Sequence, residues 1–210
     1  MTDFKPENYP FFSRADVEVV DRQTVFQGFF RIDQYKIRHA LFNGGHSGVF
    51  QRELFERGHA VVVLPYNPQT DELVLIEQFR VGALDNPNGP WLLEAIAGMI
   101  EAGESTEQVA QREAEEEAGL VLEQFLPMLS YQSSPGGSTE RIHLLLARLA
   151  QREVAGVYGL ADENEDIKVH LLQRSDAMLL LKAGKIDNAA TVIALQWLTL
   201  NLRQVIENWS

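Results

Sequence analysis

The residues whose chemistry is easiest to anticipate lie in the stretch REAEEEAGL, at positions 112–120. On a helix, Glu113, Glu116 and Glu117 share one face because their spacing is i, i+3 and i+4, whereas Glu115 points away from it. Like charges placed so close together repel each other unless cations lie among them. Carboxylate oxygens are ligands that Mg²⁺ prefers. The two interpretations are therefore a metal-binding helix edge and an ordinary solvated acidic face.

Negative charge is unevenly distributed along the chain. Residues 101–117 contain seven glutamates and one arginine, a net charge of −6, which is half of the total of −12. A second acidic cluster, ADENEDIK at residues 161–168, contains Asp162, Glu163, Glu165 and Asp166. If the fold brings these two clusters together, they form one shared site.

Composition excludes several classes of protein. A net charge of −12 and an isoelectric point near 4.8 argue against binding to nucleic acids or to anionic membranes, because both require a basic surface. The chain contains no cysteine, which excludes disulfides and fits a reducing compartment. The first twenty residues lack a basic segment followed by an apolar one, and no apolar run reaches the ~18 residues of a membrane span. We expect a globular cytoplasmic protein.

The acidic stretch requires a helix to hold it. Ser105 is a good N-cap, Gln108 completes a capping box with it, and Gly119 suits the position after the last turn. These signals predict a helix over residues 106–118. Small residues form a stripe beside the acidic face and allow close packing on a sheet: Ala110, Ala114 and Ala118.

The rest of the chain reads as strands followed by helices. Residues 1–57 predict a small antiparallel β unit, with strand breaks at Asp21 and Gly28, and residues 58–210 form the larger second domain. A hairpin is predicted around PYNPQTDE, further strands at residues 91–99, 125–134, 141–150 and 167–173, and helices near residues 175–182 and 189–209. This order predicts an α/β fold built on a mixed sheet.

Residues 98–120 also resemble a known motif, the Nudix box. The spacing is a glycine, five residues, a glutamate, seven residues and then REAEEEAGL, and the matching residues are Gly98, Glu104, Arg112, Glu113, Glu116, Glu117, Gly119 and Leu120. Ala114 is smaller than the aliphatic residue usual at its position, and Ile96 replaces a proline often found before the box. The resemblance implies a Nudix-type α/β/α sandwich.

A narrower resemblance is to the ADP-ribose pyrophosphatase branch of that family. It rests on Pro135, fifteen residues past the box, on the β-rich N-terminal extension, and on the segments IEQFR and GKIDNAATVIALQW. The branch implies hydrolysis of ADP-ribose to AMP and ribose 5-phosphate, dependence on two or more Mg²⁺ ions with Mn²⁺ as a substitute, and a homodimer that exchanges its N-terminal units.

Two other functions stay open. One is the same chemistry on another nucleotide sugar, such as GDP-mannose. The other is a Nudix-shaped module that binds a nucleotide without cleaving it, although such modules usually lose glutamates of the box and this chain keeps them all.

The resemblance also implies roles for individual residues. Glu113 and Glu117 are the first metal ligands, Glu116 is a further ligand or bridge with its rotamer fixed by Arg112, and the carbonyl of Ala97 is a backbone ligand. A base must still take a proton from water. Since the box glutamates hold metal, the second acidic cluster is the better source, with Glu163 as base and Glu165 as a carboxylate on the metal side. The alternative is a plain acidic surface loop.

Substrate contacts are predicted at five positions. Arg80 suits a phosphate oxygen, with an ordinary surface arginine as the alternative. Adenine requires an aromatic or guanidinium face, which Phe29 or Phe30 offers together with Arg52 from the partner subunit, although either phenylalanine could instead be core. Two further residues flank the expected cleft, Met99 and Ser134.

Overall fold

A computed structural model describes Lys5 and residues 9–150, 154–160 and 164–209. Glu163, the predicted base, lies outside the described residues. The chain divides into two compact units, one formed by Met1–Arg57 with Gln132–Glu140 and one formed by Gly58–Tyr131 with Arg141–Ser210. Within the described residues, no helix is both long enough and apolar enough to cross a membrane.

The first unit contains a three-stranded antiparallel sheet, in the order β1 (Val17–Gln27), β2 (Arg31–His39) and β3 (Phe50–Glu56). Its β1 strand is exposed along nearly its whole length. Residues 132–140 join this unit through Phe55, whose N–H donates to Gly137 O and whose carbonyl accepts from the Ser138 hydroxyl.

The second unit is built on an eight-stranded mixed sheet of the described residues, with β4 and β9 parallel and the other registered pairs antiparallel. Its strands are β4 (Ala60–Asn67), β5 (Glu72–Phe79), β6 (Trp91–Glu94), β7 (Ile96–Met99), β8 (Glu123–Gln132), β9 (Arg141–Arg148), β10 (Gly156–Tyr158) and β11 (Ile167–Gln173). The helices are α1 (Thr106–Ala118), α2 (Arg174–Lys182) and α3 (Ala189–Trp209).

Alternation along the strands divides the core of this unit between two faces. Val74 and Ile76 of β5 pack in one apolar cluster with the alanine stripe of α1. Leu73 and Leu75 of the same strand pack in a second cluster with α2 and α3. Because successive strand residues point to opposite faces, the helices cover both sides of the sheet. This is the α/β/α sandwich that the resemblance to the Nudix family implied.

The sheet opens between β4 and β5, and this opening positions the site. The two strands pair at Tyr66↔Leu73 and Asn67↔Glu72. Further along, β5 pairs with β6 and β4 pairs with β7. Residues 91–99 therefore line the divergence, with α1 packed against β7 and β4.

Most of the predicted elements are confirmed, including the bounds of α1 and α3. The strand break predicted at Asp21 is wrong, since β1 continues through that residue with a register shift between Val19 and Asp21. The extra residue at this shift is Val20, because Asp21 still pairs with Lys36, so the strand does not end there. The single strand predicted at residues 91–99 is two strands with different partners, and the short β10 was missed.

Candidate active site

Helix α1 begins and ends as its sequence dictates. The Ser105 side chain accepts from the Gln108 N–H, and the Gln108 side chain accepts from the Ser105 N–H. At the other end, Gly119 adopts a left-handed conformation, with φ of 63°, and the ring of Tyr158 packs against it. Any side chain here would be strained and would collide with that ring. Both ends of the helix that carries the glutamates are therefore fixed.

The glutamates of α1 lie in different environments. Glu117 is only 4% exposed, Glu113 and Glu116 are partly buried, and Glu115 is exposed. Helical phase explains this order, since the three partly or fully buried residues share the edge that meets the sheet and the fourth does not. The predicted shared edge and the outward direction of Glu115 are both observed.

Gly98 lets this edge approach the sheet closely. A Cβ at Gly98 would collide with the Glu113 carboxylate, which lies directly against the glycine backbone on β7. One residue away, the Ala97 N–H donates to Glu117 Oε2 at 3.1 Å. The first glycine of the box therefore creates the space in which a carboxylate sits.

Arg112 connects the loop before α1 to the acidic edge. Its Nε donates to Glu104 Oε1 at 3.1 Å, and its Nη1 donates to Glu113 Oε1 at 2.7 Å and to Glu116 Oε2 at 3.3 Å. The Nη2 group donates to the Met99 carbonyl at 3.4 Å. The predicted pairing with Glu116 is present, but the contacts to Glu104 and Glu113 are shorter. Arg112 thus organises the whole edge rather than one rotamer.

In each of the three carboxylates on this edge, one oxygen accepts a hydrogen bond and the other does not accept one from a described residue. Glu113 Oε1 and Glu116 Oε2 accept from Arg112, and Glu117 Oε2 accepts from Ala97. Among the described residues no hydrogen-bond donor reaches their second oxygens. The edge therefore presents carboxylate oxygens that still have capacity for a ligand.

Burial makes the charge on this edge costly. Burial, with the nearby charges of Glu113 and Glu165, raises the pKa of Glu117 to about 8, although the Ala97 N–H and Arg80 act in the opposite direction. Burial also raises the pKa of Glu113 to about 6, against the lowering effect of Arg112. Outside this edge, the Arg112 guanidinium holds the pKa of Glu104 below its ordinary value. The carboxylates nearest the sheet are therefore short of positive charge.

One described residue of the second acidic cluster, Glu165, lies near the same edge. Glu165 lies near enough to raise the pKa of both Glu113 and Glu117. Its side chain accepts from the Leu160 N–H at 3.2 Å, and its own N–H donates to the Leu160 carbonyl at 3.2 Å. The Gly159 N–H donates to the Glu116 carbonyl at 3.3 Å. Gly159, before the undescribed residues 161–163, is therefore bonded to α1, and Glu165, after them, is bonded to Leu160.

Of the predicted substrate contacts, Arg80 and Met99 lie in the second unit, on segments that border the opening of the sheet. The other three lie in the first unit. Phe29 is 89% exposed in the turn after β1, so it is not core, whereas Phe30 packs against Phe55. The Arg52 guanidinium lies over the Phe50 ring. The Ser134 carbonyl accepts from the N–H groups of the turn that follows it.

Sequence reasoning missed two residues beside Arg80. Glu94 of β6 is 4% exposed, accepts from Arg80 Nε at 2.7 Å and accepts from Asn188 Nδ2 at 2.6 Å. A signal for Glu94 was present, since a carboxylate inside the apolar run WLLEAIAG must be buried and therefore paired. Asn188 had no comparable signal, because its partner lies 94 positions away.

The residues present fit a hard divalent cation by their chemistry. The donors are carboxylates, they are buried short of positive charge, and each keeps an oxygen without a donor among the described residues. No three acidic or histidine side chains in the described ranges already stand as a complete ligand set. Arg112 holds Glu113 and Glu116 by one oxygen each.

A comparison with family models decides the affiliation of the chain. The NUDIX domain matches residues 56–195, which include the box, the opening of the sheet and the second acidic cluster. The chain belongs to the Nudix family. Hydrolases of this family generally use divalent metal ions, in agreement with the donors assembled on α1.

Relatives of known activity place this Nudix chain more narrowly. The ADP-ribose pyrophosphatase of Escherichia coli (strain K12) is 52% identical over 207 residues, covering 98% of this chain and 99% of the relative. The GDP-mannose pyrophosphatase of Shigella flexneri is 35% identical over 152 residues, covering 72% of this chain and 78% of the relative. The resemblance to the Nudix family and to its ADP-ribose pyrophosphatase branch is thereby confirmed.

A solved structure supports the fold. The crystal structure of an ADP compounds hydrolase superposes with a TM-score of 0.69 at 22% identity, covering 93% of this chain and 96% of that one. The α/β prediction, with its small antiparallel N-terminal sheet, is confirmed.

Proposed function

We propose that this Nudix chain hydrolyses the pyrophosphate of ADP-ribose, using Mg²⁺, to give AMP and ribose 5-phosphate. The observation that carries the proposal is the edge of α1, where Glu113, Glu116 and Glu117 are buried or half-buried short of positive charge beside an arginine that suits phosphate. Similarity to a named ADP-ribose pyrophosphatase along almost the whole chain supports the choice of substrate.

The acidic edge would hold the metal. Glu113 and Glu117 are the first ligands, Glu116 is a further ligand or a bridge, and the Ala97 carbonyl and Glu165 complete the proposed set. When bound, two or more Mg²⁺ ions, or Mn²⁺ in their place, would neutralise the anionic pyrophosphate and lower the pKa of a coordinated water. Arg112 keeps Glu113 and Glu116 oriented through its ion pairs and holds the loop before α1 through Glu104.

The proton of the attacking water needs a separate acceptor. Glu163 remains the proposed base, because the box carboxylates are committed to metal and because residues on both sides of it are anchored to α1 or to each other. Water adds to one phosphorus of the pyrophosphate as its proton passes to this carboxylate. The bond from that phosphorus to the bridging oxygen breaks, and each product leaves with one phosphate.

Other residues of the chain are proposed to hold the nucleotide. Arg80 follows β5 at the opening of the sheet, where its guanidinium would suit a phosphate. The exposed ring of Phe29 and the guanidinium of Arg52 offer flat faces for adenine, and Met99 and Ser134 are further proposed contacts. We also propose a homodimer that exchanges the unit of residues 1–57, which the long exposed β1 strand supports, and a cytoplasmic location, which the cysteine-free sequence supports.

A panel of substrates tests the proposed activity. ADP-ribose, GDP-mannose and other nucleotide sugars would be hydrolysed side by side with Mg²⁺ in ¹⁸O-labelled water. We expect ADP-ribose to have the highest kcat/KM, with one labelled phosphate product that identifies the attacked phosphorus. Preference for GDP-mannose would favour the second candidate, which the 35% identical relative supports. Binding of ADP-ribose without release of AMP would point to a non-catalytic module.

The variant Glu163→Gln tests the proposed base. We expect kcat to fall by about 100-fold or more, because general-base catalysis contributes about that much, while metal binding is retained. Near-normal turnover would remove Glu163 from the mechanism.

A further inference from the structure

Arg80 is held by a carboxylate that does not belong to the acidic edge of α1. Its Nε donates to Glu94 Oε2 at 2.7 Å, and the side chain of Glu94 is 5% exposed against 42% for Arg80. Glu94 ends β6, and Ala97 of the adjoining β7 donates its N–H to Glu117 Oε2, so Arg80 is bonded to the same segment that borders the acidic edge. Among the described residues, however, no hydrogen bond joins Arg80 to Glu117. An arginine near undersupplied carboxylates is attracted to them, so something must hold it apart.

Asn188 holds the other side of Glu94. Its Nδ2 donates to Glu94 Oε1 at 2.6 Å, so both oxygens of the buried carboxylate have a partner. Its Oδ1 accepts from the Thr191 N–H at 3.1 Å, and its carbonyl accepts from the Val192 N–H at 3.0 Å. Asn188 is therefore the N-cap of α3, and one side chain caps a helix while it anchors Glu94.

A second bond fixes the neighbouring backbone. The Ala95 N–H donates to the Thr191 hydroxyl at 2.9 Å, and Thr191 is fully buried. The start of α3 is thus bonded to two consecutive residues, Glu94 at the end of β6 and Ala95, which follows it. The free end of Arg80 remains available, since its Nη groups make no hydrogen bond to a described residue.

We propose that Glu94 and Asn188 are positioning residues that keep Arg80 off the acidic edge and direct its terminal N–H groups toward the pyrophosphate of the substrate. This inference rests on the proposed function. With Glu94 and Asn188 intact, Glu113 and Glu117 stay available for cations and Arg80 stays available for the substrate. Without them, Arg80 pairs with Glu117, and both substrate and metal bind less tightly.

A purely structural role is the alternative, in which the same bonds only attach α3 to the sheet. The cap provides a way to separate the two roles. Asn188→Ser keeps an N-cap oxygen for Thr191 but is too short to reach Glu94, and Asn188→Asp keeps the shape and the cap but cannot donate. Asn86→Ala is the matched control, because Asn86 bonds to the adjacent Asp187 at 2.6 Å and does not touch Glu94 or Arg80.

Steady-state kinetics on ADP-ribose with Mg²⁺ is the first measurement. We expect Asn188→Ser and Glu94→Gln to raise KM by about tenfold or more, equivalent to about 1.4 kcal/mol of binding, with a smaller change in kcat. Asn86→Ala should behave as the wild type. In an Arg80→Ala background, Asn188→Ser should have no further effect on KM, because both changes remove the same contact.

Calorimetric titration with Mn²⁺ alone supplies a readout that does not depend on turnover. We expect Asn188→Ser to bind Mn²⁺ several-fold more weakly than the wild type, and the Arg80→Ala double variant to regain the affinity. If the wild type fails to hydrolyse ADP-ribose but this pattern of Mn²⁺ binding is seen, the proposed function fails and the positioning role stands. If the wild type is active and Asn188→Ser leaves both KM and Mn²⁺ affinity unchanged, or adds fully to Arg80→Ala, the positioning role is overturned.

Discussion

Two carboxylates in this protein are almost equally buried but have different hydrogen-bond partners. One is bonded to positively charged side chains, and the other is bonded to a backbone N–H. Asp33 of the first unit is 1% exposed and accepts from Arg22 at 2.5 Å, Thr24 at 2.7 Å and Arg31 at 3.1 Å. Glu117 of the second unit is 4% exposed and, of the residues that the structure describes, accepts only from the backbone N–H of Ala97. The donors around Asp33 balance the charge of its carboxylate, whereas the donor to Glu117 leaves that carboxylate short of positive charge.

The pKa values follow that difference. Hydrogen bonds from Arg22 and Thr24 hold the pKa of Asp33 below its ordinary value in spite of burial. Burial raises the pKa of Glu117 to about 8, because one N–H and a neighbouring arginine do not compensate for lost water. Burial of a carboxylate therefore does not by itself mark a site. A buried carboxylate with too few hydrogen-bond donors does mark a site, because a bound cation can supply the missing positive charge.

The largest loss of kcat/KM is expected when the negative charge of Glu117 is removed. Glu117→Gln should lower kcat/KM by more than about 100-fold, because losing a metal ligand costs more than losing an outer partner, which typically costs 10–100-fold. Steady-state kinetics at several Mg²⁺ concentrations checks this. The matched control is Glu115→Gln on the exposed side of the same helix, which should change kcat/KM less than about twofold. Equal losses in the two variants would contradict the division of the helix into two faces.

A smaller loss of kcat/KM is expected when Arg112, which donates to Glu113 and Glu116 of the acidic edge, is replaced. Arg112→Lys keeps the charge but cannot serve Glu104, Glu113 and Glu116 together, since an ammonium lacks the fork of a guanidinium. We expect kcat/KM to fall about 10- to 100-fold, with a higher Mg²⁺ requirement. An unchanged Mg²⁺ requirement would show that Arg112 does not orient the ligands.

The smallest effect on metal dependence is expected for Asp33, the carboxylate that arginines already neutralise. The lowered pKa of Asp33 contributes stability that is present above its ordinary value of 3.8 and is lost as the pH falls through the folded value. Asp33→Asn should therefore lower the melting temperature at neutral pH and converge with the wild type in acid, with the same Mg²⁺ requirement. Thermal melts over a pH series, with kinetics in parallel, check both halves. A shifted Mg²⁺ requirement would erase the contrast with Glu117.

The acidic half of this contrast could be predicted from the sequence, because it depends on local periodicity. The spacing of Glu113, Glu116 and Glu117, the caps at Ser105 and Gly119 and the phase of Glu115 are all fixed within one helix. What could not be predicted depends on long-range partners. Examples are the bond between Glu94 and Asn188 and the grip of Arg112 on Glu104, for which helical phase gives no guide.

The fold shows the same limit. Apolar residues at alternating and at 3.6-residue spacing predict nearly every strand and helix. The same spacing does not predict which strands pair with each other. The sequence of residues 91–99 predicts one apolar strand, but the strand is interrupted at Ala95, where β6 pairs with β5 and β7 pairs with β4. The opening of the sheet that positions the site is therefore a tertiary feature.

The central claim, that the edge of α1 is a cation site left short of positive charge, is tested most directly by the stability of the protein without metal as a function of pH. Ionising Glu117 in the folded state is unfavourable, so its contribution to stability should fall as the pH rises from its ordinary value of 4.5 to about 8. We predict that Glu117→Gln gains stability relative to the wild type over that interval, and that Mg²⁺ stabilises the wild type at the alkaline end but not the variant. A difference in melting temperature that is independent of pH, with no response of the wild type to Mg²⁺, would contradict the claim.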